Sequence, residues 1–236
     1  MYKRLKETYQ SKVIENEEIY EKDDKFYPNQ KISLKKKNKF IKILKFQHNM
    51  FSKYDITYSI YYGTLLGYAR NKKIIPYDND VDTIIGKNNF KKLISLAENI
   101  NIKNIMYNED IYKYKPDFST DNIFLVLNKS VLNNKGYGIR YNCKGDQVKS
   151  QIDSCSFNGP IGRFIIGGKT HSDIFIDGNE EYPKTIDDMF FINKEDVIES
   201  KLDGETISVF KDNIVKKRLE KLYGKDYMSV PKKYLN

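Results

Sequence analysis

The chain has 236 residues, of which 39% are hydrophobic and 14% aromatic, and it carries a formal net charge of +9. This composition excludes a chain too polar to fold and allows one domain with a sizeable core. The positive charge suits an anionic partner, whether nucleic acid, a membrane surface or a phosphate-bearing small molecule. It does not choose among them, because the lysines are spread along the chain.

Two cysteines, Cys143 and Cys155, are too few for a framework of several disulfides or for a four-cysteine zinc site. We therefore expect both to be reduced, incidental thiols. The N-terminus lacks the apolar core of a secretory signal, and no stretch has the length needed to cross a bilayer. These features predict a soluble, cytoplasmic protein, with peripheral association with a membrane left open.

The N-terminal part of the chain, residues 1–32, is strongly charged and is interrupted by Pro28. Its apolar residues are spaced as on a helix, which predicts a helical arm over residues 2–22 and a linker after it. We place the remaining residues, 33–236, in one catalytic domain.

An amphipathic helix is predicted from Ser33, which suits the N-cap position, to about Lys53. It opens with the densest lysine cluster of the chain, formed by Lys35 to Lys37 and Lys39. No arginine-rich or aromatic-interleaved RNA motif accompanies this cluster, so we favour a solvated helix face over a nucleic-acid surface.

Residues 55–62 are rich in β-branched and aromatic side chains, which predicts a buried strand that ends at Gly63. A turn at Gly63 and Thr64 then leads into a short helix over residues 65–69. Because the N-terminal end of a helix carries positive partial charge, backbone N–H groups and the Thr64 hydroxyl would face an anion there. A second strand is predicted over residues 81–85.

The rest of the chain alternates apolar, strand-like runs with two helical patterns. Together with the first strands, it predicts an α/β (α+β) fold in which a mixed, twisted sheet is flanked by helices. The predicted helices cover residues 88–99 and 212–223, the second ended by Gly224, and the predicted strands cover residues 123–127, 137–141, 163–166 and 172–177.

Three aspartates, Asp78, Asp80 and Asp82, occupy every second position at the start of the second strand. In an extended strand such side chains point to one face with Cα atoms about 6.6 to 6.8 Å apart, so Asp80 and Asp82 can converge on one cation. An isolated acidic run is often a solvated turn, but carboxylates that enter a buried strand are costly without a partner. We therefore expect Mg²⁺ or Mn²⁺ here, with Asp173 as a third carboxylate from a different strand.

The unbroken stretch from Tyr62 to Asp82 resembles the motif of the LicD family, which includes bacterial phosphocholine transferases, fukutin and fukutin-related protein. The shared pattern is Gly-Thr-Leu-Leu-Gly, two residues, Arg, a basic segment, Ile-Pro-Trp-Asp with Tyr replacing Trp here, and an Asp-x-Asp pair. The later segments His171–Phe175 and Leu222–Tyr227 are also similar, so the resemblance covers roughly residues 34–231.

This resemblance implies a nucleotidyltransferase-type fold and a metal-dependent transfer of a substituted phosphate. The group would be of the phosphocholine or polyol phosphate type, and it would move from a CDP-linked donor to a sugar hydroxyl of a glycan. Carried over by position, Asp80 and Asp82 would hold the catalytic Mg²⁺, with Asp173 as the third acidic residue. On the donor side, Gly63 and Thr64 would face the phosphates.

Phosphoryl-type transfer also needs cations that neutralise the phosphate oxygens, and Arg70 and Lys72 suit this role. A salt bridge to one of the aspartates is an alternative role for Arg70. The general base is either Asp173 or Asp78, although Asp78 equally suits a turn after the proline. For His171 we favour a structural role over a contact beside Asp173.

Two other functions stay open at this point. A related enzyme would transfer a nucleoside monophosphate instead of the substituted phosphate, using the same metal chemistry. A basic nucleic-acid-binding module with an inactive site would use the net charge and would not depend on the aspartates. Nucleic acid is the less favoured partner because no dedicated motif accompanies the lysines.

Overall fold

The structure is a computed structural model that describes residues 18–20, 31–99, 102–128, 138–178 and 190–230. Strand β1 (Glu18–Tyr20) pairs antiparallel with β2 (Lys31–Ser33). The helix predicted for residues 2–22 is therefore wrong at residues 18–20, and the rest of that predicted arm lies outside the described residues. The domain boundary after residue 32 stays a prediction.

The elements predicted after residue 33 occur in the predicted order, with boundaries shifted by a few residues. The structure adds a short helix at residues 111–114 and strands at residues 105–107, 147–148, 197–202 and 205–210, which the sequence did not predict. The helices are α1 (Leu34–Lys53), α2 (Tyr62–Asn71), α3 (Lys87–Glu98), α4 (Ile111–Tyr114) and α5 (Asp212–Tyr223). The strands are β3 (Tyr58–Ile60), β4 (Val81–Ile85), β5 (Ile105–Tyr107), β6 (Ile123–Leu127), β7 (Arg140–Tyr141), β8 (Gln147–Val148), β9 (Gly162–Ile166), β10 (Thr170–Ile176), β11 (Val197–Leu202) and β12 (Glu205–Phe210).

Six of these strands form one mixed sheet in the order β3-β4-β10-β9-β6-β5. The pairs β4 with β10 and β5 with β6 are parallel, and the other neighbours are antiparallel. The hairpin β11-β12 lies beside β3, where Ser208 and Phe210 donate backbone hydrogen bonds to the Tyr58 and Ser59 hydroxyls. The mixed α/β fold predicted from the sequence is confirmed.

Helix α1 covers one face of the sheet with a large apolar core. Phe40, Ile43 and Phe51 are fully buried on this helix, and the Phe51 ring lies 5.7 Å from that of Phe164 on β9. The apolar face predicted for this helix is therefore the face that is buried against the sheet. Ser33 occupies the N-cap position, but its side chain makes no capping hydrogen bond.

One buried amide in this core joins α1 to the neighbouring strands β4 and β10 of the sheet. Gln47 donates to the Thr83 hydroxyl of β4 at 2.8 Å and accepts from the Ser172 hydroxyl of β10 at 2.9 Å. The Thr83 hydroxyl in turn donates to the backbone carbonyl of Asp173 at 3.0 Å. All polar groups of this small network are satisfied by one another, as burial requires.

Residues on the opposite face of the sheet form a second, smaller core that includes Phe124, Val126 and Ile165. A loop closed by a disulfide between Cys143 and Cys155 packs on this core. The expectation of reduced, incidental thiols is thus wrong. The two cysteines are separated by 12 positions, too many for one helix or strand to place them side by side, but the loop brings them together. Disulfides are typical of oxidising compartments, so a cytoplasmic location stays a prediction.

Candidate metal-dependent active site

Two acidic residues and one arginine form a row across three neighbouring strands. Asp82 on β4 lies opposite Asp173 on the parallel strand β10, and Asp173 lies opposite Arg163 on the antiparallel strand β9. Residues that pair across a sheet point to the same face, so the three side chains share the face opposite α1. The sheet topology therefore places the predicted third carboxylate next to the aspartate run.

Arg163 holds Asp173 in a bidentate ion pair. Its Nε and Nη2 atoms donate to the two carboxylate oxygens of Asp173 at 2.5 and 2.9 Å, and both residues are buried. Its Nη1 atom donates to the Ser154 carbonyl at 3.0 Å, and its guanidinium lies 4.9 Å from the Phe157 ring centroid. Because the guanidinium is fixed on all sides, the orientation of the Asp173 carboxylate is fixed with it.

Three potential ligand atoms come together beside this row. Donor atoms of Asp80, His171 and Asp173 all lie within 4.8 Å of one another. His171 Nε2 lies 3.6 Å from Asp80 Oδ2, while its Nδ1 lies 3.3 Å from the Lys169 carbonyl. The three side chains line a cleft of about 390 Å³. Asp82 does not belong to this trio, so the cluster differs from the predicted Asp80, Asp82 and Asp173.

The electrostatics of the aspartate run show an excess of negative charge. Burial and repulsion by Asp80, Asp173 and Asp78 hold the pKa of Asp82 well above its usual range. Burial, followed by repulsion from Asp80, raises the pKa of Asp78 to about 7. A hydrogen bond from His171 lowers the pKa of Asp80. Ionised carboxylates crowded in this way are stabilised by a cation.

The chemistry of these donors fits a divalent metal ion. Carboxylate oxygens suit Mg²⁺ and Mn²⁺, and the imidazole of His171 adds a nitrogen that transition metals accept more readily than Mg²⁺. Asp80, His171 and Asp173 would hold the ion, with Asp82 beside them. The roles of these residues as ligands stay predictions.

The Gly-Thr turn lies against the aspartate run at the start of α2. A Cβ atom added to Gly63 would lie 2.6 Å from Asp78 Oδ2, so only glycine leaves room for this carboxylate. The buried Thr64 hydroxyl accepts from the Asp82 N–H at 2.8 Å, and Tyr61 N–H donates to the Asp82 carbonyl at 2.8 Å. The turn therefore positions Asp78 and Asp82, and the phosphate contacts of Gly63 and Thr64 stay predictions.

The two cations that the sequence assigned to the substrate lie in different surroundings. Arg70 is buried, and its Nη2 atom donates to the carbonyls of Tyr227 and Ser229 at 2.6 and 2.8 Å, at the edge of a cleft of about 280 Å³ that Asp78 also lines. Lys72 is exposed, and its Nζ lies 3.3 Å from the Tyr68 ring centroid. Arg70 thus lies beside the aspartate run while anchoring the segment after α5.

Sequence reasoning missed three residues of the site. Arg163 was interpreted only as part of a strand. A charged residue inside an apolar run needs a buried partner, so the position of Arg163 in such a run was the signal that could have identified it. His171 was given a structural role, but it lies beside Asp80. Lys36 was assigned to a solvated helix face, but its Nζ donates to the Asp78 carbonyl and to Asn79 Oδ1. Only the fold brings Lys36 across 42 residues to the aspartates.

Comparison with known proteins relates part of this chain to a known class of domain. Residues 55–128, just under a third of the chain, match the family model described as LicD/FKTN/FKRP, nucleotidyltransferase domain. This segment, which contains α2, β4 and the three aspartates, is similar to the LicD family.

A curated relative matches a shorter stretch. The chain is 32% identical over 56 residues to the lipopolysaccharide cholinephosphotransferase LicD of Haemophilus influenzae. This stretch is 24% of the present chain and 21% of that relative, so the match spans about a fifth of the relative's length. Together the two similarities support a transferase of the phosphotransferase type at the level of the family. None of the helices in the described part of the chain combines the length and the apolar character needed to span a membrane.

Proposed function

We propose that this protein is a metal-dependent phosphotransferase that moves a substituted phosphate from a CDP-linked donor to a hydroxyl group of a glycan. The family match supports the class of reaction, and the printed name of the relative, a cholinephosphotransferase acting on lipopolysaccharide, suggests a donor and an acceptor of this kind. Mg²⁺ or Mn²⁺ is the proposed cofactor.

The observation that carries the proposal is the convergence of Asp80, His171 and Asp173 next to Asp82. Three potential ligands, Asp80, His171 and Asp173, meet at one cleft. The repulsion among these carboxylates and Asp82 favours a cation. A divalent ion held there would neutralise charge on the phosphate oxygens and orient the donor.

Two aspartates have different proposed roles beside the metal ion. Arg163 keeps both oxygens of Asp173 engaged, so Asp173 is suited to fixing geometry and not to accepting a proton. Asp78 lies in the cleft next to Gly63 with no such bidentate partner among the described contacts, and we propose it as the general base. Its carboxylate would take the proton of the attacking hydroxyl.

In the proposed reaction, the hydroxyl oxygen of the acceptor forms a new bond to the phosphorus atom of the transferred group. The bond between that phosphorus and the bridging oxygen of the donor breaks, and CMP leaves with the electron pair. Arg70, at the edge of the cleft lined by Asp78, supplies positive charge near the leaving group.

The test is incubation of the full chain with a panel of CDP-alcohols, a glycan acceptor and Mg²⁺ or Mn²⁺. We expect metal-dependent CMP release that falls at least about a hundredfold when Asp80→Asn and Asp82→Asn are combined. Asp55→Asn is the matched control, because Asp55 is an exposed acid that pairs with Lys92 and Lys194 away from the cleft. CMP release that is independent of metal, or that survives the double change in folded protein, would contradict the proposal.

Transfer of a nucleoside monophosphate is the second candidate, because the matched family model is described as a nucleotidyltransferase domain. The two reactions share the metal site and differ in the half of the donor that stays on the acceptor. The mass of the acceptor product separates them: a gain of the substituted phosphate supports the main proposal, and a gain of the nucleoside monophosphate supports the alternative.

A further inference from the structure

A second cleft, of about 750 Å³, opens next to the acidic row. Tyr62 lines it, and the Tyr62 ring packs edge-on against that of Phe175 with centroids 5.0 Å apart. Phe175 lines the cleft of Asp80 and Asp173. The two clefts are therefore neighbours on either side of this pair of rings, which places the second cleft next to the proposed metal ligands.

The walls of the second cleft are aromatic. The rings of Tyr61 and Tyr62 lie 4.4 Å apart, and Tyr223 and Phe190 line the same cleft with exposed fractions of 43% and 45%. Tyr223 also lines the cleft of about 280 Å³ that Asp78 lines, which places Tyr223 near the aspartate run. Exposed rings on the wall of a cleft offer a stacking surface for a planar ring of a ligand.

The charges of the second cleft are positive. Arg218 is engaged in a bidentate ion pair with the buried Asp177, so these two residues neutralise each other. Lys217 and Lys221, one helical turn apart on α5, also line the cleft, and no acidic group in the described part of the chain pairs with either of them. Among the residues that the structure describes, these two ammonium groups therefore make the cleft disfavour a cationic ligand, such as a choline group, and favour an anionic one.

We propose that this second cleft binds the nucleoside-phosphate part of the donor, with its base against the exposed aromatic rings and its phosphate charge offset by Lys217 and Lys221. The inference rests on the proposed function and adds the orientation of the donor relative to the aspartate run. The nucleotide lies on the α5 side of the aspartate run. The transferred group lies on the side of Asp80 and His171.

The probe is CDP, titrated calorimetrically into the full chain in the presence of Mn²⁺. We expect Lys217→Glu and, independently, Lys221→Glu to raise the Kd of CDP at least about fivefold. Lys216→Glu is the matched control: Lys216 is the neighbour of Lys217 in sequence, has the same side chain and is exposed, but it does not line the cleft. Its Kd for CDP should stay within about twofold of that of the unchanged chain.

Four further ligands test whether the cleft recognises the base and whether its partner is a mononucleotide. CMP should bind more tightly than ribose 5-phosphate if the aromatic walls recognise the base, and equal affinities would contradict that part of the proposal. Phosphocholine should not compete with CDP in this cleft. A single-stranded oligonucleotide that binds more tightly than CDP and loses affinity in the same lysine variants would overturn the assignment to a mononucleotide donor.

The outcomes separate this inference from the proposed function. CDP binding that is unchanged in both lysine variants but lost in Asp80→Asn would overturn the nucleotide cleft and leave the phosphotransferase proposal standing. No CDP binding by the unchanged chain, with or without metal, would overturn the CDP-linked donor itself. Circular dichroism and thermal melting establish that the variants fold, which the exposure of both lysines leads us to expect.

Discussion

Asp82 and Asp173 lie directly opposite each other on the adjacent parallel strands β4 and β10. They come from segments about ninety residues apart, and the sheet joins them on one face. Two carboxylates at paired positions repel each other, and this repulsion is offset on one side by Arg163. The other side faces the cleft, where a cation would complete the compensation.

Metal binding is the first prediction. Asp80→Asn removes one carboxylate of the trio, and we expect it to weaken Mn²⁺ binding at least about tenfold, measured by calorimetry or by the electron paramagnetic resonance of free Mn²⁺. Asp55→Asn removes the same charge from a surface site and should bind Mn²⁺ like the unchanged chain. Equal losses in the two variants would mean that net charge, and not the trio, determines the affinity.

Arg163 provides the second prediction. Arg163→Met leaves the buried Asp173 without its partner, so we expect the free energy of unfolding to fall by about 3 to 5 kcal/mol in urea titrations with EDTA. Mn²⁺ should restore part of this loss by offsetting the same carboxylate. Lys113→Met breaks an exposed ion pair with Asp110 and should leave the urea midpoint nearly unchanged. A variant as stable as the unchanged chain would show that the ion pair does not hold Asp173 in place.

The dependence of stability on pH is the third prediction. The pKa of Asp78 is raised from 3.8 to about 7 in the folded state, so the folded chain holds a proton that the unfolded chain has lost. Without metal, the free energy of unfolding should therefore fall as the pH rises from about 4 to about 7, by at most about 4 kcal/mol from this group. Asp78→Asn should flatten this part of the curve, and an unchanged slope would rule out Asp78 as its source.

The disulfide provides the fourth prediction. Reduction of the bond between Cys143 and Cys155, which are separated by 12 positions, should lower the free energy of unfolding by about 2 to 3 kcal/mol in denaturant titrations. The variant that combines Cys143→Ser and Cys155→Ser should not respond to reductant. If both thiols of the folded, unreduced protein react with a thiol-labelling reagent, the bond is absent and the expectation of free thiols is correct.

Two glycines of α2 give the fifth prediction. In Gly67→Ala the new methyl group would lie 2.3 Å from the Lys73 carbonyl oxygen, which is backbone, so we expect a loss of about 1 to 3 kcal/mol in unfolding free energy. In Gly63→Ala the close atom is the end of the Asp78 side chain, which can rotate away. This second variant should stay nearly as stable but should lose turnover, and normal turnover would argue against Asp78 as the base.

Five of the six strands of the main sheet were predicted from the sequence because each has a local apolar or β-branched pattern, whereas the three-residue strand β5 was missed. Helix 212–223 and strand 123–127 match the structure at both ends, since Gly224 ends the helix with a φ of 83° and the strand is continuously apolar. The strand at residues 18–20 was missed because, in the described part of the chain, it pairs with β2, and pairing between strands leaves no periodic signal in a charged segment.

Candidate ligands in the aspartate run were also accessible from the sequence, but their arrangement was not. The spacing of Asp80 and Asp82 suggested that these two converge, whereas the donor atoms that meet are those of Asp80, His171 and Asp173. This set depends on how far β10 extends beside β4, which no local pattern encodes. The second cleft could not be predicted from the sequence either. Helix spacing places Lys217 and Lys221 on one face of α5, but it does not show which cleft this face borders.

Gln47 has a consequence for the chemistry that its position in the core does not suggest. By joining the Thr83 and Ser172 hydroxyls, its amide fixes the lengthwise alignment of β4 and β10. A shift of β10 by a single position would turn Asp173 and His171 toward α1 and expose Ser172 and Ile174 to the cleft instead. A neutral side chain on the far side of the sheet therefore decides which residue of β10 stands next to Asp82.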